Sequence, residues 1–167
     1  MKSTKIISFD RAVSLVKKLK QNNKKIVLCH GVFDLLHIGH IKHFEEAKTF
    51  GDILIVSLTK DKYVNKGSNR PAFNIRLREE ALAAIVNVDY VFANKWPTAI
   101  KTINTIKPDI YIKGPDYQSF KNDITEMIKK ESKAIKSVKG QIKFTKSAAF
   151  SSSKLLNQYF DIYTDNQ

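Results

Sequence analysis

Two histidines three residues apart, His37 and His40, close the run His30-Gly31-Val32-Phe33-Asp34-Leu35-Leu36-His37-Ile38-Gly39-His40. Gly31 and Gly39 permit close backbone approach, and helical periodicity begins just after them. A helix start presents unpaired N–H groups and the positive end of the dipole, so an anion is favoured there. Imidazoles on the same turn can donate hydrogen bonds to phosphate oxygens whose charge grows during displacement, which is electrostatic stabilisation of a transition state. His37, His40 and His43 also recur at intervals of three, a spacing open to metal ligation or to ordinary surface histidines. No cysteine cluster or HExxH partner accompanies them, which weighs against a metal.

Further cationic and phosphate-seeking groups stand downstream. Lys66 shares a loop with Lys60, Lys62 and Arg70 after an apolar run, and such a loop can close as a positive lid over phosphates or merely be solvated. Arg78, eight positions after Arg70, could grip a phosphate through its planar fork, the alternative being an exposed helix arginine. In Lys113-Gly114-Pro115-Asp116-Tyr117, Gly114 lets a base or ribose approach, while Asp116 and Tyr117 offer polar and stacking contacts. Ser151, Ser152 and Ser153 precede Lys154-Leu155-Leu156 and can form a second phosphate cradle at a helix start. Neither GxxxxGK[ST] nor GxGxxG occurs, so P-loop and dinucleotide readings lose ground.

The elements that must position these groups read as alternating strands and helices. Ile26 to Cys29, Ile53 to Leu58, Tyr90 to Ala93, Ile110 to Ile112 and Ile142 to Phe144 are short apolar runs of strand length. Between the first two, Ile38, Ile41, Phe44, Ala47 and Phe50 predict one apolar helix face, with Gly51 as its cap. Asn74 is expected to cap a helix carrying Leu77, Ala81, Ala84 and Ile85, and Pro97 to sit in the first turn of a helix ending before Pro108. An amphipathic helix is expected within residues 1–23, packed outside the first strand, and the polar tail 161–167 is expected to fray. Strands apolar throughout and separated by helices imply a parallel sheet covered on both faces, a doubly wound α/β fold in one domain over 1–167. Ligands in such folds collect at the carboxyl ends of the strands.

Composition narrows the setting. Lys and Arg number 29 against 16 Asp and Glu, a formal charge of +13 that draws polyanions. The partner class could be nucleic acid, an acidic membrane or a small polyphosphate, and many of the lysines could be solvated residues only. The one cysteine, Cys29, lies in an apolar run, which excludes a disulfide framework and fits a reducing cytoplasm. No apolar stretch reaches the ~20 residues of a membrane span, and the start lacks the apolar region of a secretory signal. A cytoplasmic protein without a membrane partner is the expectation.

The run from Gly31 to His40 resembles the GxFDxxHxGH signature of the cytidylyltransferase-like nucleotidyltransferase superfamily. The resemblance continues in order through Lys66 to Pro71, Arg78, Val88 to Val91, Lys113 to Tyr117 and Phe150 to Ser153. Within the superfamily the chain is most similar to the adenylyltransferase domain of the bifunctional ADP-heptose synthases, and next to the glycerol-3-phosphate cytidylyltransferases. The resemblance implies a Rossmann-like five-stranded sheet and transfer of a nucleotidyl group from ATP or CTP, with Mg²⁺, to a phosphorylated sugar such as heptose 1-phosphate. A polyol phosphate is the alternative acceptor, and a non-catalytic nucleotide- or nucleic-acid-binding module is the alternative of another class.

By the same resemblance, His37 and His40 hold the triphosphate and Lys66 bridges donor and acceptor phosphates. Gly31, Val32, Phe33, Gly39, Arg78, Lys113, Gly114, Asp116, Tyr117 and Ser151 to Ser153 line the nucleotide. Asp34 contacts acceptor or metal, and Arg70 and Lys146 add phosphate contacts. Mg²⁺ is held through the phosphates, with no protein-only metal site. The chain departs from the pattern at Pro115, where the family has a second glycine and where proline removes a backbone donor. Lys146 stands where the glycerol-phosphate branch has an arginine and cannot supply that planar fork. A homodimer and a separate or fused sugar kinase are also implied.

Overall fold

The computed structural model describes residues 3–67, 69–115 and 127–146. The elements alternate: α1 (Phe9–Gln21), β1 (Ile26–Gly31), α2 (Ile38–Lys48), β2 (Ile53–Leu58), α3 (Ile75–Ala83), β3 (Tyr90–Ala93), α4 (Ile100–Ile106), β4 (Ile110–Lys113), α5 (Met127–Ser137) and β5 (Gln141–Phe144). All five strands are parallel, in the order β3-β2-β1-β4-β5. Ile26 stands opposite Ile53 on one side of β1, and Val27 opposite Ile110 on the other. The expected doubly wound parallel sheet is the fold observed, with every predicted strand in place to within two residues.

The sheet divides two cores because alternate side chains of a strand point to opposite faces. Ile26, Leu28, Ile55, Phe92 and Tyr111 meet α1, α4 and α5 through Ala12, Val16, Ile103 and Ile135. Val27, Cys29, Leu54, Val56, Val91 and Ile112 meet α2 and α3 through Phe44, Ala47 and Leu82. Both faces are covered, which is why these strands are apolar at nearly every position. The chain runs from β1 outward to β3, then crosses back to β4 on the other side of β1. The β1/β4 junction is therefore the switch point, where the carboxyl ends of strands leave a crevice.

Several local expectations are corrected. In α2, Phe44 and Ala47 are buried, but Ile38 and Ile41 are exposed, so only half of the apolar stripe faces the sheet. Gly51 does not adopt a left-handed cap; a Cβ there would lie 2.7 Å from the Val27 side chain and 2.9 Å from the Lys25 carbonyl, so close packing excludes a larger residue. Asn74 does cap α3, accepting from the Leu77 N–H at 3.1 Å. The buried side of α3 is Arg78, Leu82 and Ala83, while Leu77, Ala81 and Ala84 face outward. Pro97 precedes α4 rather than opening it. The N-terminal helix starts only at Phe9, capped by Ser8, and Ile6 before it pairs in parallel with Val91 of β3.

Candidate active site

The histidine loop leaves β1 at the switch point. Phe33 has φ +47°, a left-handed conformation that costs an aromatic residue roughly 1–2 kcal/mol. The kink folds its ring over Gly31, where a Cβ would lie 2.9 Å from the ring carbons. The same ring meets His40 edge-on, with centroids 5.5 Å apart, and Phe44 at 5.1 Å. Gly31 is thus required by the ring that supports His40.

His37 is the N-cap of α2, its Nδ1 accepting from the Gly39 N–H at 3.1 Å. An Nδ1 that accepts must carry no proton, so neutral His37 presents Nε2–H as its donor. The His40 ring stacks on it, with centroids 3.9 Å apart and planes at 29°, which places the two imidazoles as one unit on the first turn. Burial depresses the His37 pKa, and burial with the charges of His37, His43 and Lys66 depresses that of His40 to about 3. Both rings are neutral at physiological pH and donate without charge. Buried His40 Nδ1 has no hydrogen-bond partner among the described residues, an atom whose desolvation a ligand can offset.

His43 leaves this pair. It is buried, and its Nδ1 lies 2.9 Å from Thr145 Oγ1 at the end of β5. Among the described residues, no group of three or more His, Cys, Asp or Glu side chains is arranged to hold a metal.

Asp34 is committed to the protein. Its oxygens accept from the Ala72 N–H at 2.8 Å and the Phe73 N–H at 2.9 Å, and Arg70 Nε lies 3.2 Å away. The side chain is 2% exposed, so the expected contact with acceptor or metal gives way to a clasp joining the histidine loop to the loop after β2. Lys66 rides on that clasped loop. Its pKa is lowered by burial first and then by Arg70, with Asp34 opposing, and its charge is felt at His40. Asp34 thus ties Arg70, and with it the loop that carries Lys66, to the histidine loop.

Arg78 is neither the phosphate fork nor the exposed arginine considered from sequence. Its guanidinium is fully buried and donates to the carbonyls of Phe73 (2.9 Å), Val32 (2.5 Å) and Thr59 (2.9 Å) and to Asp61 (2.5 Å). Those acceptors belong to the histidine loop, the turn after β2 and the segment entering α3, so one side chain fixes three loops. The geometry suits Arg because only a planar fork reaches several carbonyls at once. Asp61 was not among the residues singled out from sequence, since a pairing across 17 residues leaves no periodic signal.

At the other lip of the crevice Lys113 pairs with Glu131 of α5 at 3.1 Å, both side chains being largely buried. Lys113 is therefore anchored to the fold rather than extended toward a nucleotide. Among the described residues, a Cβ on Gly114 would meet nothing within 4 Å, so that position faces open space. Between the lips, His30 Nδ1 lies 2.8 Å from Ser57 Oγ and Nε2 lies 3.3 Å from Thr59 Oγ1. This network too escaped sequence reading, although His30 directly precedes Gly31. The Lys146 N–H donates to both Glu46 oxygens, at 3.1 and 2.9 Å, so the chain leaving β5 starts beside α2. Asp116, Tyr117, Ser151, Ser152, Ser153 and the tail 161–167 lie outside the described residues.

Residues 28–158 match the family model described as cytidylyltransferase-like. The chain belongs to the cytidylyltransferase-like nucleotidyltransferase family. The bifunctional protein HldE of Aliarcobacter butzleri is 40% identical over 138 residues, covering 81% of this chain and 29% of that protein. HldE of Campylobacter jejuni serotype O:2 is 43% identical over 124 residues, covering 71% and 27%. The chain thus spans less than a third of the length of these curated relatives. Among solved structures, a lipopolysaccharide core biosynthesis protein from Thermoplasma volcanium superposes with a TM-score of 0.59 and 25% identity, over 77% of this chain and 99% of that one. The matched span contains the stacked histidines, the Asp34 clasp and the switch-point crevice. No helix among the described residues is long and apolar enough to cross a membrane.

Proposed function

We propose that this chain transfers an adenylyl group from ATP to a heptose 1-phosphate or a closely related sugar phosphate, releasing pyrophosphate, in the cytoplasm. The observation that carries the reaction is the stacked His37–His40 pair at the head of α2, faced by the clasped Lys66 loop. The sugar and the base rest on the resemblance to the adenylyltransferase domain of the bifunctional ADP-heptose synthases, and the similarity to HldE is consistent with that branch. A phosphate oxygen of the acceptor attacks the α-phosphorus, and the bond to the pyrophosphate oxygen breaks with its electron pair. His37 Nε2–H and the free N–H of His40 donate to phosphate oxygens, and these bonds strengthen as charge accumulates in the transition state. Lys66 lies across donor and acceptor phosphates and screens their repulsion. Arg78 and Asp34 keep the two loops in register, and the Gly31–Phe33 backbone and Gly114 border the nucleotide.

Mg²⁺ fits this site only as a companion of the triphosphate. The cationic groups flank it, and Asp34, the carboxylate of the signature, is taken by N–H donors and Arg70. When bound, the ion neutralises phosphate charge. A sugar kinase, separate or on the same polypeptide, supplies the phosphorylated acceptor, and the enzyme works as a homodimer.

The reading is tested by pyrophosphate release with ATP or CTP, each paired with heptose 1-phosphate and with glycerol 3-phosphate. Turnover with ATP and the heptose is expected. Turnover only with CTP and the polyol phosphate would move the enzyme to the other branch of its family, and none with any pair would sink the catalytic reading.

A further inference from the structure

The two helical layers carry very different charge. Helices α2 and α3 hold four cations, Lys42, Lys48, Arg76 and Arg78, and four carboxylates. Most of these are paired: Lys42 with Glu45, Lys48 with Asp89, Arg76 with Glu80 and Arg78 with Asp61. Helices α1, α4 and α5 hold nine cations against two carboxylates. Both of those carboxylates are consumed: Asp10 by Lys95, and buried Glu131 by Lys113. Arg11, Lys17, Lys18, Lys130, Lys133 and Lys136 are exposed, and no ion pair engages them among the described residues. The three helices lie side by side, α1 on α4 and α4 on α5, so these cations share one broad face. Catalysis does not use this charge, because the site lies at the carboxyl edge of the sheet.

We propose that the α1/α4/α5 face is a docking surface for an anionic lipid membrane. Charge complementarity names the partner: a face of one sign attracts an anionic leaflet by about 1 kcal/mol for each lysine near it. The cations are nearly all lysines, point charges without the fork that reads phosphate and base edges. Among the described residues, the exposed large apolar side chains, Ile38, Ile41, Phe73, Leu77 and Val86, all lie away from these helices, so none of them gives this face a stacking platform for bases. Adsorption is electrostatic, without insertion, and it leaves the crevice at the sheet edge open to substrates. The proposal does not depend on which nucleotide or sugar the enzyme uses.

The test is co-sedimentation of the full chain with vesicles of phosphatidylglycerol and phosphatidylcholine, and with phosphatidylcholine alone, at about 0.1 M and about 1 M salt. Binding to the anionic vesicles at the lower salt and release at the higher are expected, since the screening length shrinks from about 10 Å to about 3 Å. Two double variants of equal net charge separate the face from the charge. Lys133→Gln with Lys136→Gln should lower vesicle affinity about thirtyfold, and Lys42→Gln with Arg76→Gln should leave it within about twofold. Equal losses in both variants, no binding at the lower salt, or tighter binding to polyuridylate than to vesicles of matched charge would each overturn the proposal.

Discussion

The proposed chemistry turns on the ring of His40. It sits on the first turn of α2, stacked on His37 and supported by Phe33, and in the proposed reaction it offers a neutral donor to the growing phosphate charge. His40→Ala should lower kcat by about 10²–10³-fold, the range for losing one preorganised donor. Circular dichroism and the unfolding midpoint at pH 7.5 should change little, because the ring adds no core contact beyond its stacking neighbours. Near-normal pyrophosphate release from that variant would refute the proposed role. Arg78 has the opposite profile. Arg78→Lys keeps a charge but cannot reach Val32, Thr59 and Phe73 together, and carbonyls left unsatisfied cost about 1–3 kcal/mol. Urea unfolding should register that loss; a variant as stable as the parent would show that the fork is not what holds the three loops. The signature made the histidines legible in sequence, whereas nothing local marks Arg78 as buried. An arginine among Leu77, Glu79 and Glu80 reads as a surface residue until distant loops supply its acceptors.

Among the elements, the strands were legible because each is buried on both faces and leaves an unbroken apolar run, as Ile26 to Cys29 and Ile53 to Leu58 show. Helix faces were harder to read. The apolar stripe read onto α3 through Leu77, Ala81 and Ala84 points outward because Arg78 takes the inward position. The loop after β2 was legible as basic, but not as an element held in place from β1. Asp34 supplies that hold, and the consequence is testable. Asp34→Asn keeps the shape of the side chain but removes its charge from Arg70 and one acceptor from the Ala72 and Phe73 amides. The loop should open more often, with trypsin cutting after Lys62 and Lys66 severalfold faster than in the parent while the β-sheet core stays folded. Unchanged cleavage at both lysines would mean that the clasp does not restrain the loop. Bound ATP with Mg²⁺ should slow the cuts in the parent, since ligation of Lys66 favours the closed loop.

Taken as a whole, the molecule folds with all four of its histidines held toward the neutral form, and that sets its response to acid. Burial is the leading cause in each: His30 falls to about 3, helped by the Lys113 charge, His40 to about 3 and His43 to about 4, while His37 is lowered as well. In the unfolded chain a histidine takes up a proton near pH 6.5. Below that value the unfolded state binds more protons than the fold, so stability rises with pH there and is lost as pH falls from about 6.5 toward 3. Each histidine contributes a slope of up to about 1.4 kcal/mol per pH unit. Glu79 acts the other way, because burial raises its pKa, and it offsets part of the slope just above the ordinary range of a glutamate. Three strongly depressed imidazoles outweigh one carboxyl, so urea midpoints should fall steadily from pH 7 to pH 4.5. His43→Asn tests the assignment while leaving the stacked His37–His40 rings in place. Asparagine can keep the hydrogen bond to Thr145 but cannot titrate, so the variant should lose stability less steeply with acid, by about one proton's slope. A slope identical to the parent's would mean that acid acts on some other group, and that His43 does not stay neutral in the fold.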